Sequence, residues 1–259
     1  MARRSTLARI GQRSEILGTR RARMPPSPDP TGTRETVSCA GDALTIEVFA
    51  LNHKDADTTP TIILLHDAHG AGPDRPVRTE AARLAAAGYR VVLPHYLERT
   101  GATRVGFSGI ARHFGLWSEA IGAVIAHLRL ANPARPLGLV GRSLGGALAL
   151  AAAAETNGLA ALVLRSAFLP PHLDGRRLDL PPVLALHGTR DVIVPPSHAT
   201  NLAARVREAG GTCGVTLYET QAHTFDDATD ADATARLLAF LAEHLRGAAD
   251  RPAAAPPAS

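Results

Sequence analysis

Short apolar runs alternate with longer amphipathic segments over most of the chain. Runs rich in β-branched residues and leucine predict strands, whereas apolar residues at helical spacing predict helices. The predicted strands are residues 43–51, 61–65, 89–93, 137–140, 159–164, 183–186 and 215–218, and the predicted helices are 79–87, 114–130, 144–155, 197–209 and 231–245. Because helices separate successive strands, we expect parallel pairing through right-handed crossovers. The pattern therefore predicts an α/β fold with a doubly wound, mostly parallel sheet.

The two ends of the chain lack this periodicity. Residues 1–34 are rich in arginine and serine and end in a proline-rich run, and residues 247–259 consist mainly of alanine, proline and other small residues. We predict that both are disordered tails around one domain of residues 35–246. With no secretory apolar segment, the expected location is the cytoplasm. The composition of the first tail is also that of an organellar transit peptide, and Met24 is an alternative start.

The basic charge of the chain belongs to the N-terminal tail. The whole sequence has a net charge of +4, but residues 1–34 contain eight arginines and two acids. The remaining residues carry a net charge of −2. A phosphate-binding surface for nucleic acid is therefore not expected. No apolar stretch is long enough to predict a membrane helix, and two isolated cysteines do not suggest a zinc site.

A glycine-flanked serine follows the predicted strand at 137–140. The residues Gly141-Arg142-Ser143-Leu144-Gly145-Gly146 lead directly into a predicted helix. The pattern G-x-S-x-G between a strand and a helix is typical of a sharp turn that lifts a serine hydroxyl above the sheet. Side chains at the two flanking positions would collide in such a turn, which explains the glycines. We predict that Ser143 is a nucleophile.

A nucleophilic serine needs a histidine base and an acid that orients it. In enzymes with this turn, the chain order is serine, acid, histidine. Asp191 follows the predicted strand 183–186, and His223 follows the strand 215–218. The ends of parallel strands meet at one edge of the sheet, where ligands bind. We therefore predict a catalytic triad of Ser143, Asp191 and His223.

Other acids and histidines are candidates for the same chemistry. Asp174 is the runner-up for the acid, whereas Asp226 and Asp227 lie close to His223 in sequence. His187 is expected to pack or to form local hydrogen bonds in the turn beside Asp191.

Two backbone N–H groups are predicted to form an oxyanion hole. One is that of Leu144, directly after the nucleophile, and the other is that of Ala68, in the loop after the strand 61–65. His66 and His69 flank Ala68 at a spacing of three, but no third ligand accompanies them, so no metal is predicted.

Taken together, these motifs resemble the dienelactone hydrolase family of α/β-hydrolases. The resemblance lies in HDAHG, PHYLERTG, GRSLGG, HGTRDVIVPP and QAHTF, which fall within residues 61–225, and it continues more weakly to residue 245. It implies an α/β-hydrolase fold and a small-molecule ester or lactone substrate. We expect no cofactor, nucleic acid or membrane partner, and a monomer or homodimer. Because the connection 166–181 is too short for a lid, we expect little or no cap domain.

The sequence departs from the family pattern at two positions. Members that open dienelactones carry cysteine where Ser143 stands, and they hold the substrate carboxylate with two arginines. Arg99 matches the first arginine by position, but Asp227 stands where the second would fall. Asp67 matches a family acid with a shorter side chain, and Tyr96 is a further candidate for substrate contact.

The sequence therefore favours a serine hydrolase that cleaves carboxylic esters or lactones through an acyl-enzyme. A peptidase or acyltransferase with the same triad, and an α/β-hydrolase that binds without catalysis, are the alternatives.

Overall fold

A computed structural model describes residues 32–50 and 58–246. The predicted tails fall outside these ranges, apart from residues 32–34 at the start. The described chain forms one eight-stranded sheet in the order β1-β2-β4-β3-β5-β6-β7-β8. Its strands are β1 (Thr33–Cys39), β2 (Asp42–Phe49), β3 (Thr61–Leu65), β4 (Arg90–Pro94), β5 (Leu137–Arg142), β6 (Ala161–Arg165), β7 (Val183–Gly188) and β8 (Cys213–Tyr218). The pairs β1–β2 and β2–β4 are antiparallel, and every other pair is parallel, as the sequence predicts.

Within the described residues, five α-helices cover the two faces of the sheet: α1 (Pro76–Ala86), α2 (Phe107–Ala131), α3 (Leu144–Glu155), α4 (Ser197–Glu208) and α5 (Asp227–Leu241). Apolar side chains of α2, α3 and α4 form one core with the sheet, and those of α1 and α5 form a second core on the opposite face. α3 is buried all round from Leu144 to Ala153, where every residue is alanine, glycine or leucine. These small residues let the helix approach the sheet closely, which fixes the turn that precedes it.

The first strand was not predicted. The sequence pattern assigns residues 33 and 34 to the tail, whereas β1 begins at Thr33 and pairs with β2 along its full length. Only Val37 and Cys39 of its seven residues are buried, so this edge strand shows little apolar alternation. Ala40 and Gly41 both have positive φ in the tight turn to β2. α2 begins seven residues before its predicted start. Its first turns are mostly exposed, so they lack the apolar periodicity on which the prediction depends.

The connection between β6 and β7 contains one short 3₁₀ turn, Pro171–Leu173, and no inserted domain. This agrees with the prediction of little or no cap. Within the described ranges, no helix is long and apolar enough to cross a membrane.

Candidate active site

Ser143 occupies a strained turn between β5 and α3. Its φ is 52° and its ψ is −119°, a conformation that non-glycine residues rarely adopt. A Cβ at Gly141 would lie 2.3 Å from the Gly145 carbonyl oxygen, and a Cβ at Gly145 would lie 2.2 Å from the Leu65 carbonyl oxygen. The Ser143 N–H donates to the Arg165 carbonyl on the neighbouring strand, at 2.8 Å. The two glycines are thus sterically required, as the motif predicts.

The structure brings the three predicted triad residues together. His223 Nε2 lies 3.0 Å from Ser143 Oγ, and His223 Nδ1 lies 2.8 Å from Asp191 Oδ2. A carboxylate only accepts, so Nδ1 carries the proton and Nε2 is left to accept from the serine hydroxyl. The Asp191 side chain is fully buried, and its Oδ1 accepts the N–H groups of Ile193 and Val194 at 3.0 and 2.9 Å. The geometry is that of a nucleophile, a base and an orienting acid.

The alternative acids lie elsewhere. Asp174 is exposed and faces Arg205 across 3.7 Å. Asp226 caps α5 by accepting the Thr229 N–H, and hydrogen bonds at this cap lower the pKa of its carboxyl group. Asp227 is the first residue of α5. None of the three hydrogen-bonds to His223 in the described structure.

Both predicted oxyanion donors lie beside the turn. Leu144 is the first residue of α3, where an N–H group has no partner within the helix. Over the described residues, neither the Leu144 N–H nor the Ala68 N–H has a protein acceptor. The Ala68 carbonyl accepts from the Val105 N–H at 2.8 Å, which holds the loop in place. A Cβ at Gly145 would also lie 2.3 Å from the His66 carbonyl oxygen, so this loop packs directly on the turn.

Tyr96 does not line the pocket, contrary to its candidate role in substrate contact. It is fully buried, its hydroxyl donates to the His66 carbonyl at 2.6 Å, and its ring stacks on the His66 imidazole at a centroid distance of 4.0 Å. His66 Nδ1 lies 2.7 Å from the Asp67 carbonyl oxygen, and burial lowers the pKa of His66 to about 4. Tyr96 and neutral His66 therefore support the loop that carries Ala68. The sequence did not show which way the Tyr96 ring points.

The Tyr96 hydroxyl supports a prediction about this loop. Replacing Tyr96 with phenylalanine keeps the ring and removes one hydrogen bond to the loop, so we expect kcat to fall by about 2- to 10-fold with little change in KM. Tyr218→Phe is the matched control, because its hydroxyl donates at 2.8 Å to Asp232 on the exposed side of α5. Steady-state kinetics on an ester substrate would measure both. Equal effects of the two changes would contradict the supporting role of Tyr96.

Arg99 also lies away from the pocket. Its guanidinium group forms an ion pair with Asp42 on β2, and Arg99 is not among the residues that line the cavity at Ser143. Asp67 does line that cavity, where its Oδ1 accepts the His69 N–H at 2.8 Å. Since Asp227 begins α5, the described chain does not assemble a two-arginine clamp at the family positions.

A cavity of about 460 Å³ opens beside Ser143 and His223. One part of its wall is apolar, and its side chains are Val77, Val105, Phe107, Ile110 and Ile193. Its charged side chains are Asp67, Arg75, Glu80 and Arg142. Within the described residues, no group of three or more histidine, cysteine, aspartate or glutamate side chains is arranged to hold a metal ion.

Ser166 is a neighbour of the site that the motifs of the sequence did not indicate. Ser166 follows β6 directly and has a positive φ of 47°. Its N–H donates to the Leu186 carbonyl at 2.9 Å, and its hydroxyl donates to the His223 carbonyl at 3.2 Å. Its place at the end of the strand beside the nucleophile turn is the signal that would have identified it.

Solved structures that are similar to this chain share its fold. A protein from Klebsiella pneumoniae described as a candidate dienelactone hydrolase superposes with a TM-score of 0.68 at 19% identity, covering 82% of this chain and 98% of its own. A propionate-bound esterase from Thermogutta terrifontis gives 0.65 at 21% identity, covering 85% and 96%. A puromycin-hydrolysing peptidase from Mycobacterium tuberculosis gives 0.67 at 20% identity, covering 83% of this chain but only 39% of the peptidase.

A comparison with curated proteins finds no match. The family model of the dienelactone hydrolase family matches residues 46–244, which include every predicted triad residue. These residues make up most of the chain, so this protein belongs to the dienelactone hydrolase family and is a hydrolase that acts on ester bonds.

Proposed function

We propose that the protein is a serine hydrolase that cleaves carboxylic esters or lactones of small molecules through a Ser143 acyl-enzyme. The observation that carries this proposal is the pair of hydrogen bonds through His223, at 3.0 Å to Ser143 Oγ and 2.8 Å to the buried carboxylate of Asp191. Membership of the dienelactone hydrolase family supports it.

In the first half-reaction, Ser143 Oγ attacks the ester carbonyl while His223 Nε2 takes the hydroxyl proton. The carbonyl oxygen becomes an oxyanion that accepts from the Leu144 and Ala68 N–H groups, helped by the N-terminus of α3. His223 then gives its proton to the alcohol oxygen, which leaves as the C–O bond breaks. In the second half-reaction, His223 takes a proton from water as the water oxygen attacks the acyl carbon. The bond between that carbon and Ser143 Oγ then breaks, the carboxylic acid leaves, and His223 returns the proton to Oγ.

The pocket supports a small substrate. A volume of about 460 Å³ is within the range that binds small molecules. The apolar side chains of Val105, Phe107 and Ile110 offer a surface for a short acyl or alcohol group. Because Arg99 pairs with Asp42, we propose general ester or lactone hydrolysis rather than recognition of a dienelactone carboxylate at the family positions.

A substrate panel on the purified full-length protein tests the proposal. We expect turnover of short-chain p-nitrophenyl esters and simple lactones, and at least about 100-fold lower kcat/KM for an aminoacyl p-nitroanilide, since an amine is a poorer leaving group than a phenol. Adding an alcohol acceptor would reveal acyl transfer as a new ester product. Faster cleavage of the anilide would make the protein a peptidase, and no turnover of any ester would leave a binding module.

A further inference from the structure

His187 lies behind the triad, at the end of β7. Its side chain is 2% exposed, and its Nε2 lies 2.9 Å from the Val194 carbonyl oxygen and 3.2 Å from Asp191 Oδ2. The catalytic steps proposed above do not use this ring.

The partners of His187 fix its protonation. A carbonyl oxygen only accepts hydrogen bonds, so Nε2 carries a proton and donates it to Val194, and this N–H group also lies 3.2 Å from Asp191 Oδ2. Burial lowers the pKa of His187, so the ring stays neutral at ordinary pH. His187 is thus a fixed neutral donor toward the carboxylate.

This donor completes the shell of Asp191. Oδ1 accepts the N–H groups of Ile193 and Val194, Oδ2 accepts from His223 at 2.8 Å, and the His187 Nε2–H group lies 3.2 Å from Oδ2. The Asp191 side chain has no exposed surface, so water cannot take the place of a lost donor without entering the core.

From this arrangement we infer that His187 is a positioning residue for the proposed triad. Its neutral N–H group, held by Val194 at 3.2 Å from Asp191 Oδ2, stabilises the negative charge of the carboxylate and so weakens the attraction of that carboxylate for the His223 proton. The inference rests on the proposed function, because it assumes that Asp191 orients the catalytic base.

The consequence is a defined change in pH dependence. Without the His187 donor, Asp191 Oδ2 holds more negative charge and stabilises protonated His223 more strongly. Protonated His223 cannot accept the Ser143 proton, so the acid side of the kcat/KM profile should move to higher pH. A residue that only filled space would lower activity or stability without moving this midpoint.

The substitutions at His187 leave the other titratable and charged side chains near the triad in place. The titratable and charged side chains that line the pocket around His223 are His66, Asp67, His69, Arg75, Glu80 and Arg142. His198 lines a small cavity together with His187, and its Nδ1 accepts the Leu169 N–H at 3.1 Å.

The experiment measures kcat and KM for p-nitrophenyl acetate from pH 5 to 9 in wild type and three variants. For His187→Leu we expect kcat to fall about fivefold, KM to stay near the wild-type value, and the acid midpoint to rise by about half a pH unit. His187→Gln keeps an N–H donor at the same number of bonds from Cα, so we expect the wild-type midpoint. His198→Leu removes a neighbouring histidine that does not contact the triad, and it should also keep that midpoint. If His187→Leu does not fold, as judged by circular dichroism, His187→Asn takes its place, because its amide is too short to reach Asp191.

An unchanged midpoint in the donor-free variant, or an equal shift in the glutamine variant, would overturn the role of His187. Neither result would affect the proposed function, which fails if the wild type turns over no ester, if it prefers the anilide, or if ester turnover survives the loss of Ser143.

Discussion

Replacing Ser143 with alanine is expected to lower kcat for a short-chain ester by at least about 10⁴-fold. Alanine removes the only hydroxyl that hydrogen-bonds to His223 Nε2 in the described structure, and no acyl-enzyme can form without it. The residual rate would come from the oxyanion hole and substrate binding. Alanine has no greater conflict with the positive φ at this turn than serine has, so the thermal unfolding midpoint should stay close to that of the wild type.

Ser197→Ala is the matched control for this change, because Ser197 is an exposed serine at the start of α4. Its kcat should equal that of the wild type. Hydrolysis retained at more than a few per cent in a folded Ser143→Ala protein would show that another group attacks the ester.

Asp191→Asn is expected to lower kcat by on the order of 10⁴-fold. Oδ1 must still accept the N–H groups of Ile193 and Val194, so the new amide NH₂ would face His223. Two donors cannot bond to each other, so His223 would give up its Nδ1 proton and carry it on Nε2 instead. An Nε2–H group cannot accept the serine proton. The loss should therefore appear in kcat at every pH, with KM for the ester little changed.

Two other acids provide the controls for Asp191. Asp174→Asn should leave kcat unchanged, because Asp174 is exposed beside Arg205. Asp226→Asn should also keep kcat, since its role is to cap α5, and asparagine is a good N-cap residue. Severe loss in either variant, together with an active Asp191→Asn protein, would assign the acid to a different carboxylate.

The sequence predicted the parts of the fold with strong periodicity and the parts of the site with strong motif context. α3 was predicted with its observed bounds because a glycine turn precedes it and its residues are small and apolar. The triad could be predicted because Ser143, Asp191 and His223 each follow a parallel strand, and such strand ends meet at one edge of the sheet. The roles of these residues in catalysis remain a proposal.

Other features depend on contacts that no local pattern encodes. β1 is an edge strand with two buried residues, so pairing with β2 rather than apolar alternation defines it. Tyr96 and Arg99 lie in one short turn, and sequence alone did not indicate that one supports His66 while the other pairs with Asp42. The contact between His187 and Asp191 depends on how the loop between them folds back.

The central claim is that Ser143 is the nucleophile, and a fluorophosphonate probe tests it most directly. Trypsin cuts after Arg142 and Arg165, so it releases Ser143 in a peptide of residues 143–165. Thr156 carries the only other alcohol group in that peptide. Mass spectrometry of the labelled full-length protein should place one adduct on Ser143, with labelling lost in Ser143→Ala and strongly slowed in Asp191→Asn. An active enzyme with no adduct, or with its adduct on another residue, would contradict the account.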